Sequence, residues 1–170
     1  MNAARSVAAS IARRGWGLVY GGASVGTMGA IADAALAAGG DVQGVIPEVM
    51  IDWERAHPRL TRLWVVASMH ERKARMHELS HAFVALPGGM GTLDEVFEAI
   101  TWMQLGFHRK PIAFFDVDGY WQPIVQWIDR AVADGFVAAE HARAIHVGGD
   151  LEAMLDAVGP GEDERTTHAP

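Results

Sequence analysis

Apolar and polar positions along this chain switch repeatedly between two periods, the helical spacing of a half-buried face and short continuous apolar runs. Ala4, Val7, Ala8 and Ile11 recur at helical spacing and predict a helix at the start of the chain. Gly17–Tyr20 reads as a short buried strand that runs into the glycine-rich stretch GGASVGTMG. Residues 27–38 are alanine-rich, with Met28, Ile31 and Ala35 on one face and Gly39-Gly40 as a stop signal. Val42–Ile46 predicts a second strand closed by Pro47, and residues 48–60 read as irregular, with Pro58 limiting any helix. Leu63–Ala67 is a third strand, 69–81 a helix, Ala82–Leu86 a fourth strand and 92–106 a helix. Pro111–Phe115, a helix over 121–134, a short strand near Ala144–Val147 and a last helix near 150–157 complete the order. The polar segment 159–170 reads as a disordered tail.

Strands that alternate with helices imply parallel pairing, because each parallel crossover needs a long connection. The expected fold is therefore an α/β domain over residues 1–158, a Rossmann-like doubly wound parallel sheet with helices on both faces. One feature departs from that plan. A doubly wound domain opens on a central strand, and this sequence opens on a helix, as if lacking the leading strand. Ligands of such sheets bind beyond the carboxyl ends of the strands, where the glycine-rich stretches after Tyr20 and Leu86 fall.

Composition narrows the field. With 170 residues, half of them apolar, the chain suffices for one packed domain. No apolar run is long enough for a transmembrane helix, so no membrane partner is expected and the cytoplasm is the default compartment. A net charge of −7 offers no basic surface for nucleic acid, though one small anion needs only a local site. The absence of cysteine excludes disulfides, thiolate metal ligands and a cysteine nucleophile. An opening rich in Ala, Ser and Arg has some transit-peptide character, but its helical periodicity and the strand that follows favour an ordinary helix.

The most informative segment is Pro87-Gly-Gly-Met-Gly-Thr-Leu-Asp-Glu95, between a strand and a helix. Gly88, Gly89 and Gly91 are expected to take positive φ and let backbone N–H groups come close to a ligand. Thr92 would start a helix whose free N–H groups and dipole attract an anion. A structural reading competes with this, since Thr92-x-x-Glu95 forms a capping box. That box leaves three glycines and a proline unexplained, so a phosphate cradle is the better account. Leu93, Val96, Phe97 and Ile100 make the core stripe of the helix, and Asp94 and Glu98 read as cap and surface residues.

In the helix over 69–81, Met69, Arg72, Met76 and Leu79 share the expected inner face. A guanidinium there needs an anionic partner, which could be a structural aspartate, a bound phosphate or a catalytic carboxylate. Ser68-x-x-Glu71 is a second capping box. His77-Glu-Leu-Ser-His81 matches the zinc motif H-E-x-x-H, but a strand follows His81 at once and no third ligand is evident, so no metal is expected. The remaining histidines, His57, His70, His108, His141, His146 and His168, are expected on surfaces or loops.

Taken together, Tyr20–Gly29 (YGGASVGTMG), Met69-His-Glu-Arg-Lys73 and Pro87–Glu95 resemble the Lonely Guy proteins, cytokinin riboside 5′-monophosphate phosphoribohydrolases once misnamed lysine decarboxylases. The likeness continues through Thr101-Trp-Met-Gln-Leu-Gly106, Lys110-Pro111, Gly119-Tyr120 and Gly135-Phe136. It implies hydrolysis of a nucleoside 5′-monophosphate to free base and ribose 5-phosphate, with no cofactor and with water as the nucleophile. It places the catalytic pair on Arg72 and Glu95, and the substrate contacts on Glu54, Lys73, Gly88, Gly89, Met90, Gly91, Thr92 and Thr101. It also implies a homodimer or larger homo-oligomer with sites near the subunit interface. Two departures from the family are Ala23 and Thr27, in place of a glycine and a leucine, and the leading strand with its Gly-Ser loop.

Overall fold

A computed structural model describes residues 2–159. Chain contacts divide it into two compact units, Met1–Ser80 and His81–Pro170. The predicted alternation is found in both.

In the first unit, α1 (Asn2–Arg13), β1 (Leu18–Tyr20), α2 (Gly26–Ala37) and β2 (Val42–Pro47) lead to the short α3 (Ile51–Glu54), β3 (Arg62–Val66) and α4 (Met69–Leu79). The three strands form a parallel sheet in the order β1-β2-β3. Leu18 pairs with Val42, and Gln43 with Arg62. Helices α1 and α2 pack on each other, and their alanine-rich faces admit close approach: Ala8, Ala32 and Ala35 are buried with Leu18, Tyr20 and Val42.

In the second unit, β4 (Phe83–Ala85), α5 (Met90–Gln104), β5 (Ile112–Phe115), α6 (Gln122–Ala133), α7 (Ala139–Arg143), β6 (Ile145–Gly148) and α8 (Leu151–Val158) follow in turn. Its sheet is also parallel, in the order β4-β5-β6. The core gathers Ala85, Val96, Ala99, Ile100, Ile112, Phe114 and Trp121. All four residues of β5 are buried, as expected of a strand with a neighbour on either side.

Several expectations need correction. The stretch read as irregular, 48–60, contains a 3₁₀ turn over Glu48–Met50 and then α3, and both end before Pro58. The short helix α7 was not foreseen. The inner face of α4 is set by Arg72 and His77, which are buried, while Met69 is 39% exposed. α5 begins at Met90 rather than Thr92: Gly89 is its N-cap and Thr92 its third residue. The predicted disordered tail lies outside the described residues from Pro160 onward, as does His168.

Candidate functional site

In the first unit the candidate residues gather around Arg72. The Ser68 hydroxyl accepts the Glu71 N–H at 3.2 Å, and Glu71 Oε2 accepts the Ala67 N–H at 2.9 Å. This reciprocal cap fixes the start of α4 and with it the direction of Arg72. The arginine is only 4% exposed. Its Nη2 donates to the Gly21 carbonyl at 3.1 Å and lies 3.6 Å from Glu54 Oε2, while Nη1 has the weak acceptor Met69 Sδ at 3.7 Å. Nε is buried without a hydrogen-bond partner among the described residues. A separation of 3.6 Å compensates charge but is too long for a good hydrogen bond. The guanidinium therefore keeps donor capacity for a further anion. Lys73, the next residue of α4, is half-buried.

A second stretch of chain is fastened over the glycine turn. After Glu54 the chain reverses at Arg55, whose φ is 48°. Ser24 N–H then donates to the Arg55 carbonyl and His57 N–H to the Gly22 carbonyl, both at 2.9 Å. Ala23 and Ala56 form an isolated antiparallel bridge. The Tyr20 hydroxyl donates to the Ala23 carbonyl at 3.1 Å, and burial, with the charge of Asp33 behind it, pushes its pKa up, so it stays a donor.

His57 lies on a loop, one of the two placements expected, and is buried there, 5% exposed. Its Nδ1 accepts the Arg59 N–H at 3.2 Å, which leaves Nε2 to donate to Asp33 Oδ1 at 3.3 Å. Nothing in the periodicity of a non-helical Ala-His-Pro segment signals this burial.

In the second unit, β4 delivers the chain into Pro87-Gly-Gly and α5. The expectation of positive φ fails here, because none of Gly88, Gly89 and Gly91 is among the glycines with that conformation. Their value is the missing Cβ. At Gly88 an added Cβ would overlap the Thr92 hydroxyl, whereas at Gly89 and Gly91 it would meet open space. Gly89 caps α5 without any side-chain hydrogen bond, and its carbonyl accepts the Leu93 N–H at 3.1 Å. The N–H groups of Met90, Gly91 and Thr92 thus occupy positions that have no partner within a helix. Donors in such positions are able to receive an anion, and Thr92 sits inside the first turn and not at the cap. Glu95 follows in the second turn, half-buried, and Thr101 lies further along, exposed. Leu93, Asp94, Phe97, Glu98, Thr101 and Trp102 line an open depression of about 540 Å³ along α5.

The far end of α5 is tied by His108, whose Nε2 donates to the Ala99 carbonyl at 3.0 Å and whose Nδ1 accepts the Lys110 N–H at 3.1 Å. Burial pushes its pKa below the usual 6.5; the Ala99 bond opposes this and the Lys110 charge adds to it. Because the folded value is depressed, the unfolded chain binds more protons. The stability from this group is present above the unfolded value and is lost as pH falls through the folded one. The urea midpoint is expected to drop between neutral and mildly acidic pH, and His108→Gln should flatten that slope. An unchanged slope in the variant would contradict this assignment.

The zinc motif does not assemble. α4 ends at Leu79, so His81 lies beyond the helix and is exposed while His77 is buried. Among the described residues no group of three or more His, Asp or Glu could hold a metal ion.

Parallel sheets, βα crossovers and glycine-rich strand-to-helix turns define an α/β protein of the Rossmann-like kind. The family described as "Possible lysine decarboxylase" matches residues 28–158. Cytokinin riboside 5′-monophosphate phosphoribohydrolase of Rhodococcoides fascians is 46% identical over 156 residues, covering 91% of this chain and 79% of that protein. The enzyme of the same name, LOG, of Oryza sativa subsp. japonica is 44% identical over 144 residues, which are 85% of this chain and 60% of that protein. The chain therefore belongs to the Lonely Guy family. Among solved structures, the molybdenum cofactor carrier protein of Chlamydomonas reinhardtii aligns with a TM-score of 0.66 at 23% identity over 91% of this chain and 82% of that one, which shows a shared fold.

Proposed function

We propose that the protein hydrolyses the N-glycosidic bond of a nucleoside 5′-monophosphate, releasing the free base and ribose 5-phosphate. Kinship with the phosphoribohydrolases carries this reading, and the retention of Arg72, Lys73 and the Pro87–Glu95 motif supports it. The bond between C1′ and the base nitrogen breaks with its electron pair leaving on the base, through an oxocarbenium-like state. Water adds its oxygen to C1′ and keeps one hydrogen as the new hydroxyl, while its other proton balances the one taken up by the departing base. Glu95 is the carboxylate that stabilises the cationic sugar and orients the water. Arg72 holds the phosphate or steers Glu95. Gly88, Gly89, Met90, Gly91 and Thr92 receive the 5′-phosphate, and Glu54, Lys73 and Thr101 complete the substrate contacts. On this reading residues 1–158 act as one catalytic domain. The protein works in the cytoplasm as a homodimer or larger assembly, and the exposed Met90, Leu105 and Phe107 offer apolar surface for that contact.

The direct test is incubation with several nucleoside monophosphates and detection of free base. Nucleotide binding without base release would overturn hydrolysis in favour of a carrier. Faster release from the isopentenyl derivative than from adenylate would assign the cytokinin preference, and equal rates would assign a broader glycosidase.

The cradle sets a further expectation. Nucleosides without the 5′-phosphate should be cleaved at least about a hundredfold less efficiently, because several charge-assisted bonds are lost. Comparable kcat/KM for a nucleoside and its monophosphate would remove the phosphate role from Gly88–Thr92.

A further inference from the structure

The turn after β5 is built more stiffly than a surface connection requires. Asp118 and Gly119 both take left-handed conformations, with φ of 54° and 75°. Asp116 Oδ1 accepts the Trp121 N–H at 2.7 Å, its Oδ2 accepts from Gln122 Nε2 at 2.5 Å, and its own N–H donates to the Gly148 carbonyl at 2.9 Å. Trp121 is 1% exposed and stands edge-on to Phe114 of β5, with ring centroids 5.0 Å apart. Tyr120, between these anchors, packs at right angles to Trp121 at 5.0 Å and leaves half of its surface to solvent. Its hydroxyl reaches 32 residues back along the chain and donates to the Gly88 carbonyl at 2.7 Å.

A half-exposed hydroxyl does not need a protein acceptor, since water would serve. The consequence of this bond is geometric. A trans peptide holds its C=O and N–H antiparallel. Turning the Gly88 carbonyl toward Tyr120 therefore aims the Gly89 N–H the opposite way. Gly89 is the residue that caps α5 without side-chain help, and a Cβ there would meet only open space. A glycine-glycine peptide has little of its own to prevent it from flipping, and a flip would present a carbonyl oxygen where a donor stood.

The geometry assigns Tyr120 as a positioning residue for the phosphate loop: by holding the Gly88 carbonyl, it keeps the Gly89 N–H available to the 5′-phosphate. This rests on the proposed reading of the loop as the phosphate cradle. Tyr120 touches no reacting atom, so its contribution falls on binding shared by ground and transition states, and KM rather than kcat should register it.

The test is Tyr120→Phe in the full chain, which keeps the ring against Trp121 and removes only the hydroxyl. Ribose 5-phosphate binding is measured by calorimetry, alongside kcat and KM for a nucleoside monophosphate. The variant is expected to bind ribose 5-phosphate about tenfold more weakly, the scale of one charge-assisted bond, with KM raised by a similar factor and kcat nearly unchanged. Cleavage of the phosphate-free nucleoside should not change. Unaltered affinity, a loss confined to kcat, or an equal loss with the phosphate-free nucleoside would each overturn the assignment. If the wild type bound ribose 5-phosphate but released no base, hydrolysis would fall while the affinity comparison still decided the role of Tyr120. A wild type that did not bind ribose 5-phosphate would overturn the inference itself.

Discussion

Glu95→Gln is expected to lose turnover by about a hundredfold or more while the protein remains folded. The exchange keeps the shape of the side chain and removes its charge. Were Glu95 the partner of a Thr92 cap, the same change would cost about 1 kcal/mol of stability and leave chemistry largely untouched. The structure makes that alternative weaker, because the N-cap of α5 is Gly89 and Thr92 sits inside the first turn. Glu95 also lies in the second turn, where the pull of the helix dipole on a carboxylate has already faded. Asp94→Asn is the control: Asp94 is an exposed neighbour on the same helix and should leave turnover nearly unchanged. Thermal midpoints and single-turnover rates for both variants decide the matter. A fully active, well-folded Glu95→Gln protein would sink the mechanism.

The strands and long helices were legible because their signals are local. Val42–Ile46 and Pro111–Phe115 are short apolar runs, and such runs can be buried only in a sheet with covered faces. The start of α5 was not legible to the residue. Thr92-x-x-Glu95 is a sound capping signal, but Met90 and Gly91 can enter the helix ahead of it, and the turn at Gly88 and Gly89 lets them. Positive φ was expected at Gly88, Gly89 and Gly91, whereas left-handed backbone is found at Gly22 and Gly26, in the other glycine-rich stretch. A glycine signals permission for several things, and sequence does not say whether it is used for φ or for space.

The site divides along the same line. The burial of Arg72 and its need for an anionic partner followed from helical spacing and the cost of an uncompensated charge. That Gly21 and Glu54 meet this need, and that His57 lies against Asp33, depends on pairings between segments far apart in sequence. No periodicity encodes such pairings.

Gly21→Ala is expected to disable the protein although Gly21 is not itself among the proposed substrate contacts. Gly21 has no positive φ, so alanine is conformationally allowed there, and the penalty is one of space. Its Cβ would overlap Arg72 Nη2, with Met28 Sδ at 3.0 Å and Arg72 Cζ at 3.1 Å leaving no easy retreat. The guanidinium must move, and with it go the bond to the Gly21 carbonyl and the approach to Glu54. Overpacking of this kind costs about 1–3 kcal/mol, which most domains survive. The start of α4 is secured separately by Ser68 and Glu71, so the helix should persist while its arginine is misplaced. Turnover should fall about a hundredfold, close to the loss in Arg72→Ala, because a misplaced charge serves no better than an absent one. The decisive comparison is the double variant. If Gly21 acts only by making room for Arg72, adding Gly21→Ala to Arg72→Ala should change kcat/KM no further, since residues that act as a unit fail together. Additive losses would mean that the glycine turn serves the substrate directly, and full activity in Gly21→Ala would show that the position of Arg72 does not matter to the reaction.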